Sequence, residues 1–333
     1  MKLKVTILLT AMAFAGAGSV LHAQGKDKTI ATVVKITGIN WFNRMEVGVK
    51  EFGEKTPGYK TSQTGPGQAD AAQQLRMVDD LLAKKVDAIV VVPNESASLE
   101  ASFKKAIEKG VIVITHESES AKNVNADIEA FDNTSYGKQL NEQLATCMKG
   151  EGQWTSFVAL LGNETHVQWA DGGAANAKEK HPKMILVDAK TESNNDAQKA
   201  YEKAKEILKK YPDIKGFQGA SSLDVLGIGR AIDEAGLQAS TCVFGTGLPN
   251  DNAKFLESGA VDGIAFWDPK DAGLAMNKLA QLLLEKKQIK DGMSLGIKGY
   301  EKISVTKGPG TGVVVKGQAW VNVNKSNYKQ YPF

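Results

Sequence analysis

Residues 88–115, AIVVVPNESASLEASFKKAIEKGVIVIT, decide the fold. Two short apolar runs, 88–92 and 111–115, flank a stretch in which apolar residues recur at helical spacing and which ends at Gly110. Apolar, β-branched runs are typical of strands covered on both faces in a parallel sheet, and the helix between them supplies the crossover. The stretch therefore predicts a βαβ unit.

The same alternation of strand and helix extends in both directions from this unit. Before residue 116 it predicts strands at 30–34, 59–63, 88–92 and 111–115, separated by helices at 41–55, 69–84 and 96–109. The plan restarts with strands at 154–160, 184–188, 214–218 and 242–245, and helices at 167–181, 197–210, 224–235 and 253–259. The fold class is therefore α/β, with two doubly wound parallel-sheet lobes and a cleft between them.

The amino terminus has the plan of a secretory signal peptide. Lys2 and Lys4 precede an apolar run at 5–20, and small or neutral residues lead to Ala23, which predicts cleavage there and assigns 1–23 to the signal. No second apolar run approaches 20 residues, and no cysteine stands near the cleavage point, so neither a membrane anchor nor a lipid anchor is expected. The sequence predicts a soluble periplasmic protein.

Charge and composition exclude several classes of partner. The 333 residues are 42% hydrophobic and 24% charged, as in globular proteins, and the net charge of +3 falls to +1 once Lys2 and Lys4 are removed. A chain so close to neutral has no basic face for nucleic acid or an anionic membrane, so neither is expected as a partner.

The two cysteines, Cys147 and Cys242, are far apart in the sequence. A disulfide is conceivable in an oxidising compartment, but the favoured interpretation is two separately buried thiols. No CxxC pair and no HExxH helix occurs, so we expect no metal site, and no cofactor is predicted.

Polar and aromatic residues cluster immediately after the predicted strands, which is where open α/β sheets bind ligands. Lys35 and the pair Trp41 and Phe42 follow the first strand, and adjacent helical residues point about 100° apart, so core packing accounts for at most one of the two rings. Aromatic faces stack on the C–H face of a sugar, and polar side chains bind its hydroxyls. The further candidates at strand ends are Glu117, His166, Trp169, Asn195, Ser221, Trp267 and Asp268.

Enzymatic motifs are missing from the sequence. There is no GxSxG elbow, no Walker loop and no GxGxxG at a strand-to-helix turn, and no nucleophile stands with a base, so we expect no enzyme. A glycoside hydrolase using Glu117 and Asp268 across the cleft stays open as the least favoured alternative.

With these features in place, the chain resembles the type I, ribose-binding-like periplasmic sugar-binding proteins of ABC importers. The resemblance covers nearly all of the mature chain and is nearest to the rhamnose and autoinducer-2 receptor branch. It rests on AIVVVPN at 88–94, GVIVITHE at 110–117, FWDP at 266–269 and the tail at 322–333. It implies capture of a neutral sugar or polyol, a hinge of several crossings, delivery to an ABC permease and a monomer. The implied lobes are 24–132 plus 268–290 and 133–267 plus 291–333.

Residue by residue, the resemblance implies that Trp41 and Phe42 sandwich the ligand, that Glu117 replaces a first-lobe aspartate, and that Asn195 and Ser221 are second-lobe contacts. Lys35 matches the lysine of autoinducer-2 receptors.

The match to those receptors fails at four other positions. Thr165 and His166 stand where they carry an acid and an amide, and Ser221 and Leu223 stand where they carry proline and alanine. We therefore expect a sugar or sugar alcohol, with an autoinducer-2 receptor as one alternative. The other is a sensor that presents its ligand to a membrane chemoreceptor or kinase. A sugar-responsive repressor, which can share this fold, is disfavoured because the signal peptide stands where its DNA-binding segment would be.

Overall fold

A computed structural model describes residues 26–333, and the predicted signal peptide at 1–23 lies outside the described residues. The first lobe is built on a sheet of seven strands in the order β11-β12-β5-β4-β3-β1-β2, parallel except for the β11–β12 pair. Its strands are β1 Lys28–Val33, β2 Tyr59–Thr64, β3 Ala88–Val91, β4 Ile112–His116, β5 Ala126–Glu129, β11 Ser304–Lys307 and β12 Val313–Lys316.

The second lobe has a sheet of six strands in the order β13-β10-β9-β8-β6-β7, in which only β13 runs antiparallel to its neighbour. Its strands are β6 Glu151–Val158, β7 Lys183–Glu192, β8 Ile214–Gly219, β9 Cys242–Thr246, β10 Gly263–Phe266 and β13 Val321–Asn324. The two-lobe α/β architecture predicted from the alternation of strands and helices is thus confirmed.

Nine helices within residues 26–333 accompany the strands. They are α1 Asn40–Lys55, α2 Ala71–Ala83, α3 Ser96–Glu108, α4 Asn133–Cys147, α5 Glu164–Lys180, α6 Ala197–Lys210, α7 Ser222–Ala235, α8 Pro249–Ser258 and α9 Pro269–Leu284. Side-chain caps fix several of their starts: Asp70, Asp132 and Asp196 each accept a hydrogen bond from a backbone N–H of the first turn. A left-handed glycine ends α7 and α8, at Gly236 and Gly259.

The carboxyl-terminal segment differs from the division expected from the sequence, which gave all of 291–333 to the second lobe. Residues 313–316 pair in parallel with β5, so β12, and β11 beside it, extend the first sheet. Only β13 reaches the second sheet, where it pairs with β10. The last crossing between the lobes therefore lies between Lys316 and Val321, well beyond the expected position after Lys290.

Cys147 and Cys242 form a disulfide, which corrects the expectation of two separate thiols. The last residue of α4 and the first of β9 lie side by side in the second lobe, with 6.1 Å between their Cα atoms, a separation that suits a disulfide. Asp262 lies against the sulfurs, but a bonded disulfide offers no thiolate to a metal.

No helix within residues 26–333 is long and apolar enough to cross a membrane.

Candidate functional site

A small cavity of about 30 Å3 lies where the carboxyl ends of the two parallel sheets face each other. Nine of the ten residues selected from the strand ends line it, and Asp268 does not. The complete lining is Lys35, Ile39, Trp41, Phe42, Glu117, His166, Trp169, Asn195, Ala220, Ser221, Ser222, Thr246 and Trp267. Both lobes contribute, so a molecule held there touches both at once.

Four aromatic side chains form one wall of the cavity. Trp41 and Phe42 open α1 and are both about 5% exposed, because one lobe's helix start is covered by the other lobe. The Trp41 ring meets Trp267 edge to face, with 4.7 Å between centroids, and Trp267 in turn lies 5.7 Å from Trp169. Edge-to-face packing fixes these rings in place before any ligand arrives. Both rings line the cavity and both also pack in the buried core, so a ligand contact by this pair stays a prediction.

The indole N–H groups of this wall have different partners. Trp169 donates to the side-chain oxygen of Asn133 over 2.8 Å, which fixes its ring. The Trp267 Nε1–H is buried and has no acceptor within residues 26–333. A buried donor left without an acceptor costs free energy, and because Trp267 lines the cavity, its Nε1–H is a candidate donor to a ligand oxygen.

A buried ion pair between Lys35 and Glu117 forms the polar floor of the first lobe. The lysine also donates to the side-chain oxygen of Asn163 over 2.8 Å, and the hydroxyl of Thr165 donates to Glu117 over 3.2 Å. Asn163 and Thr165 belong to the second lobe, so this network joins the lobes directly. It also supplies a cation and a carboxylate that can exchange these contacts for ligand hydroxyls.

The charges at the cavity balance each other. Burial acts to raise the pKa of Glu117, but the charge and hydrogen bond of Lys35, together with His116 and His166, outweigh burial and lower that pKa to about 2. Burial, with the Lys35 charge acting in the same direction, lowers the pKa of His166 to about 3. Burial also lowers the pKa of His116, beside the floor. At neutral pH the site thus holds one cation, one anion and two neutral imidazoles, which favours an uncharged ligand.

Glu117 has a backbone φ of 62°, in the left-handed region. For a residue with a Cβ such a conformation costs about 1 to 3 kcal/mol and persists only where the surroundings hold it. At Glu117 the ion pair with Lys35 does so, and the resulting turn places the carboxylate on the cavity.

The second lobe faces the cavity with neutral hydrogen-bonding groups. The His166 Nδ1 accepts from the backbone N–H of Ala159 over 3.2 Å, so the neutral ring carries its proton on Nε2. The Ser221 hydroxyl donates to the Asn195 side-chain oxygen over 2.7 Å. The Asn195 amide nitrogen is buried and has no acceptor among the described residues. It is therefore a second donor available to a ligand.

Sequence reasoning missed four lining residues, Ile39, Ala220, Ser222 and Thr246. The same strand-end rule points to three of them, because Ala220 and Ser222 follow β8 and Thr246 ends β9. Small or uncharged residues at these positions carry less signal than an aromatic or a charge. The Thr246 hydroxyl lies 3.0 Å from the Tyr136 hydroxyl, which orients it.

Asp268 has a structural role instead of the expected contact with the ligand. Its carboxylate forms a two-point pair with Arg44, at 2.9 and 2.6 Å, and accepts from the Lys270 N–H as the cap of α9. A glycoside hydrolase would need Asp268 as its second carboxylate in the cavity, and Asp268 does not line it. The pKa of about 2 at Glu117 is also opposite to what a general acid needs.

The sequence matches a family model and is similar to known binding proteins. Residues 30–288 match a family model described as a periplasmic binding protein domain. The D-ribose/D-allose-binding protein of Pseudomonas aeruginosa is 25% identical over 253 residues, which cover 73% of this chain and 78% of that protein. The D-allose-binding periplasmic protein of Escherichia coli is 25% identical over 222 residues, covering 64% and 71%.

Solved structures with the same fold include two from clostridia. An ABC transporter solute-binding protein from Clostridium phytofermentas with bound L-rhamnose superimposes with a TM-score of 0.83 at 19% identity, covering 92% of this chain and 98% of that one. LsrB from Clostridium saccharobutylicum in complex with AI-2 gives a TM-score of 0.82 at 20% identity, covering 92% and 100%. At these identities the likeness concerns the fold.

Proposed function

The chain belongs to the periplasmic binding protein domain family, and from this premise we propose that it captures a neutral sugar or sugar alcohol between its lobes and delivers it to an ABC permease. Relatives are named for binding ribose and allose, and a structural neighbour holds rhamnose. The chain is a sugar-binding component of transport and not an enzyme. Which sugar it binds is the open part of the proposal.

The observation that carries the proposal is the pairing of an aromatic wall with a balanced polar floor. Trp41 and Phe42 offer faces to the C–H side of a sugar ring, while Glu117 and Lys35 offer an acceptor and a donor to its hydroxyls. Because the floor carries no net charge, a uronic acid or an amino sugar would bring an uncompensated charge into a buried site. Such a charge is costly, so neutral ligands are favoured.

Binding would couple to closure of the lobes. A sugar on the Lys35–Glu117 floor also reaches the Asn195 amide and the His166 imidazole, which belong to the other lobe. It therefore gains its full set of contacts only when the lobes are closed, and it shifts the hinge equilibrium by that difference in affinity. The closed, liganded form would be the one that a permease recognises.

The proposed location of the protein is the periplasm. The relatives named above include a periplasmic protein, and a periplasmic location agrees with the Cys147–Cys242 disulfide, which needs an oxidising compartment. Export through a signal peptide cleaved after Ala23, release without a lipid anchor, and action as a monomer complete the proposal.

A thermal-shift panel tests the function. L-Rhamnose, D-ribose, D-allose, D-arabinose, D-fucose, their sugar alcohols and autoinducer-2 would be screened beside galacturonate and glucosamine as charged controls. A ligand at 100 times its dissociation constant adds about 2.7 kcal/mol of stability. We expect at least one neutral member to raise the melting temperature and neither charged control to do so. A panel in which no neutral carbohydrate has an effect would refute the proposal.

A further inference from the structure

Among the direct contacts between the lobes outside the cavity, two are made by a carboxylate in the first turn of a second-lobe helix. At the first, the Glu164 carboxylate accepts hydrogen bonds from the Ser120 backbone N–H over 2.9 Å and from the Ser120 hydroxyl over 2.5 Å. Ser120 follows β4 of the first lobe, and Glu164 begins α5 of the second. Neither residue lines the cavity.

At the second contact, the Asn40 amide donates to the Asp251 carboxylate over 2.6 Å. Asn40 begins α1 of the first lobe, and Asp251 lies in the first turn of α8 of the second. The contact is reinforced nearby, because the Arg44 guanidinium lies over the ring of the carboxyl-terminal Phe333, with 4.0 Å to its centroid. The Phe333 carbonyl accepts from the Asn250 N–H of α8 over 3.1 Å.

The sheet orders separate the two contacts along the cleft. Ser120 follows β4 and Asn40 follows β1, and β3 lies between these strands in the first sheet. Glu164 follows β6 and Asp251 follows β9, with β8 between them in the second sheet. Strands two positions apart are about 10 Å from each other, so the lobes are joined at two distinct places. Two separated contacts oppose twisting as well as opening.

Both carboxylates are partly withdrawn from water where they meet the opposite lobe. Burial raises the pKa of Glu164 and that of Asp251, while the hydrogen bonds from Ser120 and Asn40 act in the opposite direction. Opening the cleft removes both the burial and the bonds. Both contacts need the lobes to lie as close together as they do in this structure, so a movement that separates the lobes would break them.

We propose that Glu164 and Asp251 are positioning residues for ligand binding, which form a two-point latch that sets the balance between open and closed lobes without touching the ligand. The proposal rests on the proposed function for its consequence. When only a fraction of the protein is closed, the apparent dissociation constant is the intrinsic one divided by that fraction. Loss of a latch contact thus weakens sugar binding from outside the cavity.

The test uses sugar-free protein, so that it is independent of which sugar binds. Lys104→Cys on α3 and Lys199→Cys on α6 place one dye on each lobe at exposed positions, and the two native cysteines are already bonded to each other. Single-molecule energy transfer between the dyes then measures the fraction of closed molecules. It is measured in the labelled parent protein, in Glu164→Ala, in Asp251→Ala and in the variant that carries both substitutions.

The matched control is Glu100→Ala. Glu100 is a helical glutamate that accepts from the Lys122 and Asn123 backbone N–H groups, at 2.7 and 3.1 Å, wholly within the first lobe. We expect each latch variant to lower the ratio of closed to open molecules about three- to tenfold and the double variant to lower it further, while Glu100→Ala leaves the ratio unchanged. Melting temperatures of the latch variants should stay within about 4 °C of the parent.

Three results would overturn the latch: no closed population in the parent protein without sugar, an unchanged ratio in both latch variants, or an equal shift in Glu100→Ala. Each of these leaves the sugar panel free to succeed. A failed panel with an altered ratio would instead refute the proposed function and keep the latch.

Discussion

The first lobe buries one carboxyl group with a lowered pKa, at the end of β4, and two carboxyl groups with raised pKa values, on the neighbouring strand β5. Glu117, just past β4, is paired with Lys35, and its pKa is held at about 2. Asp127 and Glu129, on one side of β5, have no cation at hydrogen-bonding distance among the described residues. Burial raises the pKa of both, and repulsion from Asp127 adds to the effect at Glu129. We call these two the acid pair. The difference shows that a fixed partner, and not burial, decides whether a carboxyl group here is ionised.

This contrast separates the floor of the cavity from its support. The ionised Glu117 is an acceptor for ligand hydroxyls and lies on the cavity. In the acid pair, Asp127 instead accepts from the Thr115 hydroxyl and the Ser118 N–H, over 2.8 and 3.1 Å, which ties β5 to the end of β4. Asp127 thus holds in place the turn that carries Glu117.

Removing the cation that pairs with Glu117 should have the largest effect. Lys35→Met leaves Glu117 buried without its cation, so we expect a loss of about 3 to 5 kcal/mol in the free energy of unfolding, together with loss of sugar binding. Urea denaturation at neutral pH measures the first effect.

The control is the double variant Lys35→Met/Glu117→Leu, which removes both charges. Replacing a buried ion pair by apolar side chains is often close to neutral, so this variant should regain most of the stability lost by the single one. If the single variant were as stable as the parent protein, Lys35 would not be what keeps Glu117 ionised.

The pH dependence of stability sharpens the comparison, because the two regions give opposite slopes. Glu117 has a lowered folded-state pKa, so its stabilisation is present above about pH 4.5 and is lost as the pH falls toward 2. The acid pair has raised values, so the folded state holds more protons than the unfolded one, and its contribution declines as the pH rises above about 4.

Variants of the acid pair test the second slope. Asp127→Asn/Glu129→Gln should flatten the decline in unfolding free energy above pH 4, which amounts to at most about 1.4 kcal/mol per pH unit for each group. Urea titrations from pH 4 to 8 measure it. An identical slope in the parent and the double variant would show that the acid pair is ionised in the folded protein.

Two buried tyrosines extend the comparison to neutral groups and give the smallest effect. The Tyr136 hydroxyl has a partner in Thr246 at 3.0 Å, whereas the Tyr300 hydroxyl has none within residues 26–333. Tyr136→Phe should cost about 1 kcal/mol, and Tyr300→Phe should be neutral or slightly stabilising. Thermal unfolding of the matched pair decides this, and equal losses would contradict it.

The fold and most of the site could be predicted from the sequence because one rule covers both. Apolar runs alternating with helices imply parallel sheets, and parallel sheets gather the residues after their strands at one edge, which selected Lys35, Trp41 and Asn195 among others. The rule gives the position of a residue at the end of a strand, but not the direction in which its side chain points. Asp268 follows β10 as expected and then turns to Arg44 as a helix cap.

Other features depend on contacts that no local pattern carries. The acid pair interrupts the apolar run of β5, so the sequence pattern predicts neither a strand at 126–129 nor α4 after it. The partners in the disulfide are 95 residues apart, and the return of β12 to the first sheet depends on pairing with β5. These features are set by tertiary packing.

A crystal structure of the protein purified from its producing cells without refolding would show what the cavity holds. We expect density for a neutral sugar or sugar alcohol, with its C–H face against Trp41 or Phe42 and its hydroxyls within about 3 Å of Glu117 and the Asn195 amide nitrogen. A charged ligand in that cavity, or a carbohydrate bound elsewhere with the cavity filled by water alone, would contradict it.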